Sequence, residues 1–577
     1  LSLDKLVPFD RLVDSSGVFS YIGSGSIGGK AQGLAFIKDA LVSQVDLASY
    51  RGLTLGIPTL TVIATDVFKH YMHHNNLYDI ALSDKSDEEI AMRFLAAHLP
   101  PNIVGDLWAL SKRIRRPLAI RSSSLFEDAM HEPFAGVYET KMIPNNQLDP
   151  ETRFRALMEA VKFVYASTFF KGAKEYIKTT GQTVENERMA VIIQEIVGNR
   201  HGDRFYPHIS GVARSYNFYR TGNARPEDGV VDLALGLGKT VVDGGKTWNY
   251  SPSYPNAIPP YKNLGDMMKS TQTEFWAVNM GKSPEYNPVK ETEYLISVKL
   301  GEAERDGVLA NLVSTYDPQN DKLVIGLRER GPRLLTFAPI LDLGEMPLND
   351  MIKHLLALCE EVMGHQVEME FAVTLNNNGR SGGHFGLLQV RPMFVSRAVV
   401  RVEIEEMEGP QVLLATEDVL GNGAMNNISD VVYLKGAGFT QKESLLIASE
   451  LETINHQLIA KGAQYLLIVF GRLGTSDPPF GIPVNWWQVS GAKVIVEAWH
   501  PEMNVELSQG SHFFHNVISS QVGYFSMPHL SRHTIDWEWL NKQPTVLDTL
   551  FVRHIRLAAP LQVKIDGTKG RGVIYHG

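Results

Sequence analysis

Glu368 and Glu370 are separated by one residue, and so are Gln389 and Arg391. In extended strands that spacing puts both members of each pair on one face. Val367, Met369 and Phe371 alternate with the first pair, and Leu388 and Val390 with the second. Two carboxylates and an amide oxygen are hard ligands suited to Mg2+, and a guanidinium such as that of Arg391 grips phosphate oxygens. On this reading the polar side of a hairpin points into a site. The same residues also describe a solvent-facing hairpin with a cross-strand salt bridge, a common feature of sheets.

Two further stretches suit anions. Ile22-Gly23-Ser24-Gly25-Ser26-Ile27-Gly28-Gly29-Lys30 runs into Ala31–Ile37, a loop opening a helix. Bare backbone N–H groups and a helix N-terminus both favour phosphate, and Lys30 adds a mobile point charge. The stretch lacks the Gly-Lys-Ser/Thr ending of a Walker A loop and is equally read as a structural turn. Arg121-Ser122-Ser123-Ser124-Leu125-Phe126-Glu127-Asp128 follows the apolar Leu118-Ala119-Ile120. An irregular polar loop at a strand's end suits a catalytic arginine, and an ordinary serine-capped loop accounts for it equally well.

The elements that must position these residues are legible from periodicity. Residues 151–179 have helical apolar spacing, and Met189–Val197 is a strand by length and β-branching. Val367–Leu375 and Phe385–Pro392 form a hairpin across the Gly- and Asn-rich Asn376–His384. The Pro-, Asn-, Tyr- and Ser-rich stretch around 250–290 reads as a surface excursion. A change of texture puts the main boundary near 398. Beyond it, strands are expected at Val412–Ala415, Val431–Leu434, Tyr465–Phe470 and Lys493–Glu497, and a helix near 441–461.

Composition narrows the class. A chain of 577 residues exceeds what one core usually organises. A formal net charge of −9 argues against nucleic acid as the main partner. The basic run Lys112–Arg116 is better read as a solvated helix end than as a binding patch. Cys359 is the only cysteine, which excludes an internal disulfide and a thiolate zinc cluster. No apolar run reaches bilayer length and no secretory signal is visible, so no membrane partner is expected and the cytoplasm is the expected compartment.

Taken in order, the pieces resemble a known family. The Gly28-Gly29-Lys30 ending, Arg121-Ser122-Ser123 with Glu127-Asp128 and Phe134-Ala135-Gly136, the Gly236-Leu237-Gly238 turn with Val241-Val242, and Glu370…Gln389-Val390-Arg391-Pro392 follow one another as in the nucleotide-binding domain of phosphoenolpyruvate synthase and pyruvate phosphate dikinase. The resemblance covers roughly residues 20–395 and implies an α+β chain: an ATP-grasp-type domain over 1–398 (subdomains about 1–188 and 189–398), then a smaller mixed α/β domain over 399–577. It implies that Lys30 and Arg121 hold ATP phosphates, and that Glu370 and Gln389 hold Mg2+, with Glu368 as a second acid. It implies that Arg391 stabilises the transferred phosphoryl group. Gln194, Glu195 and Val197 would lie along the adenine hinge, with Gly236 and Gly238 in the nucleotide turn. Two features depart from the family: Lys239 stands where an acid usually follows Gly-Leu-Gly, and the hairpin loop is longer.

Full-length relatives continue with a swivelling domain bearing a phosphorylated histidine and then a barrel. The stretch beyond 398 is shorter than the roughly 250 residues of such a barrel, so phosphoenolpyruvate synthesis by this chain alone is not expected. Gly510-Ser511-His512 before Phe513-Phe514-His515 has the outline of the swivelling domain's histidine turn, making His512 a candidate nucleophile in a divergent swivelling domain. Phe513-Phe514 replaces the small residues the family prefers, and a structurally bonded histidine is the preferred reading of the residues alone. Gly471-Arg472-Leu473-Gly474-Thr475-Ser476-Asp477 is similar to a segment of barrel-less, dikinase-like relatives; it suits a second anion site or a rigid loop. The expected function is ATP- and Mg2+-dependent phosphoryl transfer, with a histidine as the leading acceptor, the final acceptor open, and a homodimer compatible with the reading. The rival is a regulatory protein that senses ATP without turnover.

Overall fold

The computed structural model describes residues 6–11, 19–50, 52–124, 127, 136–179, 183–218, 223–259, 263–376, 382–393, 395, 400–436, 441–475, 481–499, 511–527 and 531–576. The motif residues Asp128, Phe134, Ala135, Ser476, Asp477 and Gly510 lie outside them. The chain forms two compact units. One comprises Leu1–Ser215, Val230–Val241 and Lys246–Pro392; the other comprises Tyr216–Gly229, Val242–Gly245 and Met393–Gly577.

Two six-stranded sheets organise the first unit. In one, strand Met189–Glu195 lies between Leu60–Ile63 and Leu118–Ser124 and is antiparallel to both. A run of Val191, Ile192 and Ile193 suits this place, since a central strand buries both faces. In the other sheet, Ile209–Arg214 pairs with Val367–Leu375, which pairs in turn with Gly383–Pro392. Helix Gly28–Gln44 contributes Ala31, Leu34, Ile37, Ala40 and Leu41 to a core that also contains Ile192, Leu355 and Val390. Their three- and four-residue spacing makes one apolar stripe, which is why this stretch is helical.

Three local expectations are corrected. Arg121 and the three serines are not in an irregular loop: the strand runs Leu118–Ser124, because Arg121 to Ser124 all pair with Met189–Ile192. The helical stretch 151–179 is two helices, Pro150–Ser167 and Lys171–Thr179. The 250–290 region is more than surface, since helix Leu264–Ser270 and strand Glu274–Asn279 lie within it and Phe275, Ala277 and Val278 are buried. The hairpin's first strand has the expected bounds, and its second begins at Gly383.

The second unit is built on one sheet. Gly423–Leu434, Tyr465–Phe470, Ala492–Ala498 and Gly523–Met527 run parallel in that spatial order. Val552–Asp566 and Arg571–Tyr575 extend the sheet in antiparallel fashion beyond Gly423–Leu434. All six residues of Tyr465–Phe470 are buried, as a parallel strand inside a sheet requires. Helix Gln441–Ala460 precedes that strand, and helix His512–Ser519 precedes Gly523–Met527. Among the described residues no helix is long and apolar enough to cross a membrane.

Candidate functional site

Cross-strand register assembles the polar face of the hairpin. Glu368 lies opposite Arg391 and Glu370 opposite Gln389, with a register shift immediately after Glu370. All four side chains belong to buried residues, so this is not a solvent-facing hairpin. Arg121 reaches them from the other sheet. Its Nη2 donates to Glu370 Oε2 at 3.0 Å and to Gln389 Oε1 at 2.8 Å, and its Nη1 to Gln194 Oε1 at 3.5 Å. Two hard oxygens from neighbouring strands thus converge on one cationic nitrogen. Gln194 has its buried Nε2 without a hydrogen-bond partner among the described residues.

Glu368 is engaged differently. Oε1 accepts from Arg391 Nε at 2.7 Å and also from its Nη2, while Oε2 accepts from Arg214 Nε at 2.5 Å. Arg214 carried no sequence signal beyond a lone arginine closing the short stretch Ile209-Ser210-Gly211-Val212-Ala213.

Side chains of Thr65 and Asp66 tie down the glycine loop. Asp66 Oδ1 accepts from the N–H groups of Ser24 at 3.0 Å and Gly25 at 2.9 Å, and Thr65 Oγ1 accepts from Ser26 N at 3.0 Å. A Cβ on Gly28 would stand 1.6 Å from the Ser123 carbonyl oxygen, and one on Gly29 1.8 Å from that of Glu127. Gly33 lets the same helix approach the Val390 carbonyl, between Gln389 and Arg391, with only 2.6 Å for an added Cβ. The glycines therefore seat the helix against both site strands. Ile27, the helix N-cap, makes no side-chain capping bond.

Lys30 projects from the first turn of that helix. Its Nζ lies 2.6 Å from Glu127 Oε1 and 3.2 Å from Ser122 Oγ, and Ser124 N donates to Glu127 Oε2 at 2.8 Å. Arg121 and Ser122 face opposite sides of their strand, so Lys30 and Arg121 share no partner among the described residues. Behind Glu127, Tyr138 donates to Glu187 Oε2 at 3.1 Å. Burial, reinforced by the negative charge of Glu127, pushes the Glu187 carboxyl up to about 7.

The hinge and the glycine turn meet through a small apolar cluster of Ala119, Ile196, Phe205, Leu237, Val278 and Met280. Glu195 N donates to Thr59 O and Ile196 N to Pro117 O, both at 2.9 Å, so these two amides are already paired within the chain. Desolvation raises the Glu195 carboxyl, with Arg116 opposing it. Gly236 has φ +85° and abuts the Trp276 carbonyl, whereas a Cβ on Gly238 would meet nothing within 4 Å. Lys239, the departure from the family pattern, pairs with Glu291 at 3.0 Å.

In the second unit His512 is the first residue of its helix, and Ser511 Oγ accepts from Phe514 N at 3.2 Å. Ser511 thus serves as the cap. His515 is buried beside Ser519, while His512 is only half-buried. Arg472 Nη1 and Thr475 Oγ1 both donate to the Gly244 carbonyl, at 3.0 and 3.3 Å.

Residues 24–410 match the family described as pyruvate phosphate dikinase, AMP/ATP-binding domain. Rifampicin phosphotransferase of Streptomyces sviceus is 26% identical over 231 residues, covering 35% of this chain and 24% of that protein. The uncharacterized phosphotransferase YvkC of Bacillus subtilis is 25% identical over 193 residues, covering 33% of this chain and 21% of its own length. The matched region is therefore about a quarter or less of each relative. Because the match extends over more than half of its length, this chain belongs to the family of the pyruvate phosphate dikinase AMP/ATP-binding domain.

Proposed function

We propose that this chain is an ATP-dependent phosphotransferase whose first unit binds ATP and whose His512 receives a phosphoryl group on the way to a final acceptor. The observation that carries the reading is the convergence of Glu370, Gln389 and Gln194 on Arg121 from two sheets. Phosphoryl transfer needs positioning and charge neutralisation more than covalent help, and the chain's own residues are of that kind. Lys30 and Arg121 bind phosphate oxygens, and Arg391 meets the charge that grows on the transferred group. Glu370 and Gln389 fit a divalent cation, since their oxygens already converge on one positive group. When bound there, Mg2+ supplies neutralisation of phosphate charge. With both oxygens engaged by guanidinium groups, Glu368 serves the arginines rather than the metal. Val197 offers backbone to the adenine edge, and Gly238 the room for close approach.

The acceptor step rests on the half-buried place of His512. A neutral imidazole nitrogen attacks phosphorus, the bond from phosphorus to the leaving nucleotide oxygen breaks, and the phosphoryl group remains on the ring. Incubation with ATP and Mg2+ followed by mass spectrometry tests this. Acid-labile phosphate on His512, lost in His512→Asn with ATP affinity retained, is the expected result. Consumption of ATP without label sinks the histidine step, and absence of both turnover and label favours a sensor. The sensor reading draws on the pairing of Lys30, Arg121 and Arg391 with carboxylates of the chain itself.

A further inference from the structure

Arg214 stands in none of the motifs that suggested the site. It closes strand Ile209–Arg214 and lies directly opposite Glu368, which lies directly opposite Arg391 on the next strand. Residues paired in this way share a face, so the three side chains form a row across three strands. The neighbouring row on that face contains Val212, Glu370 and Gln389, the last two of which hold Arg121. None of the three side chains in the first row is more than 3% exposed.

The carboxylate of Glu368 is divided between its neighbours, Oε1 to Arg391 and Oε2 to Arg214. A carboxylate held through one oxygen still turns about its terminal torsion, which is broad and roughly two-fold. Held through both, its plane is set, and with it the position from which Oε1 grips Arg391. We infer that Arg214 is a positioning residue for phosphoryl transfer: it holds Glu368 so that Arg391 is fixed where the moving phosphoryl group needs it. This rests on the phosphotransferase reading. It gives Arg214 no contact with substrate and predicts that its effect passes entirely through Arg391.

A double-mutant cycle on the full chain tests that dependence, because residues acting through one another are not additive. ATP turnover in Arg214→Gln should fall by about tenfold or more with KM for ATP nearly unchanged, the mark of an interaction made in the transition state. In an Arg391→Gln background the same substitution should have no further effect. Arg214→Lys, which keeps a donor for Oε2 but loses the rigid fork, should recover part of the loss. It also replaces Arg214→Gln in the cycle if that variant does not fold. A second readout needs no turnover: phosphorus NMR of bound β,γ-imido-ATP. The γ-phosphorus resonance should move in Arg214→Gln as it does in Arg391→Gln, and the double variant should match Arg391→Gln alone. Additive losses, or a γ resonance left at its wild-type place in Arg214→Gln, would overturn the inference while leaving the phosphotransferase reading intact. A wild-type chain that binds no nucleotide overturns that reading, and this inference with it.

Discussion

Lys30, proposed above as a phosphate ligand, is held through Glu127 and Ser122. Removing only the cation strands Glu127 in a buried place, so Lys30→Met should lower both stability and ATP affinity, the former by about 3 kcal/mol. Adding Glu127→Gln should restore most of the melting temperature and none of the affinity measured by calorimetry. Recovery of affinity would assign Lys30 a structural role alone. Glu187, behind the same pair, makes a pH prediction. Its folded pKa of about 7 lies above the ordinary value of 4.5, so between these values the folded chain binds more protons than the unfolded chain. Stability from this group is therefore present below the lower value and lost as pH rises through about 7. Glu187→Gln should flatten that fall by about 1–3 kcal/mol, read as the change in pH slope of the melting temperature between the two proteins. Parallel slopes would show that the carboxyl titrates normally.

At the scale of elements, Gly28, Gly29, Gly33 and Gly236 let backbone approach backbone, whereas Gly238 leaves space. Gly28→Ala would force a Cβ onto the Ser123 carbonyl at a φ of +75°, and Gly236→Ala meets the Trp276 carbonyl at +85°. Each should destabilise by about 2 kcal/mol or more, since a left-handed backbone and a clash act together. Gly238→Ala meets nothing within 4 Å, so its stability should stay within about 0.5 kcal/mol of the parent. If Gly238 is where the nucleotide comes close, that variant should bind ATP more weakly at unchanged melting temperature. Unchanged affinity would remove Gly238 from the site. The hairpin makes a second contrast. Arg391→Ala should damage turnover more than ATP binding, because a charge aimed at the moving group, the role proposed for Arg391, acts in the transition state. Glu370→Ala should damage both, and titration calorimetry beside a turnover assay separates the two patterns.

The whole chain does not divide at one point in sequence. Tyr216–Gly229 and Val242–Gly245 belong to the second unit although both precede residue 392, and the second of these segments comes only a few residues after the Gly236-Leu237-Gly238 turn. Arg472 and Thr475 hold Gly244 there. A protein ending near 398 should accordingly still bind ATP, since the proposed phosphate and hinge residues all precede that point. Its described 216–218, 223–229 and 242–245 segments should exchange amide hydrogens much faster than in the full chain, as hydrogen-exchange mass spectrometry would read. Equal protection would show that these segments are ordered without the second unit.

Sequence alone determined the features that short-range chemistry dictates. Alternation put Glu368 with Glu370 and Gln389 with Arg391 on a common face, β-branching marked the central strand near 189–197, and the motif order announced the family. Each of these is a property of residues a few positions apart. Tertiary structure decided the features that depend on distant partners. Arg121 proved to lie within a strand because Met189–Ile192 pair with it, a fact that no local composition carries. The glycine loop is shaped by Asp66 and pressed against Ser123 and Glu127, contacts that its own residues do not announce. Arg214 reads as a lone arginine after Ile209–Ala213 until pairing across three strands sets it beside Glu368. A side chain's type limits the chemistry it can do, but its partner is chosen by register and packing, and those are settled only when the whole chain has closed on itself.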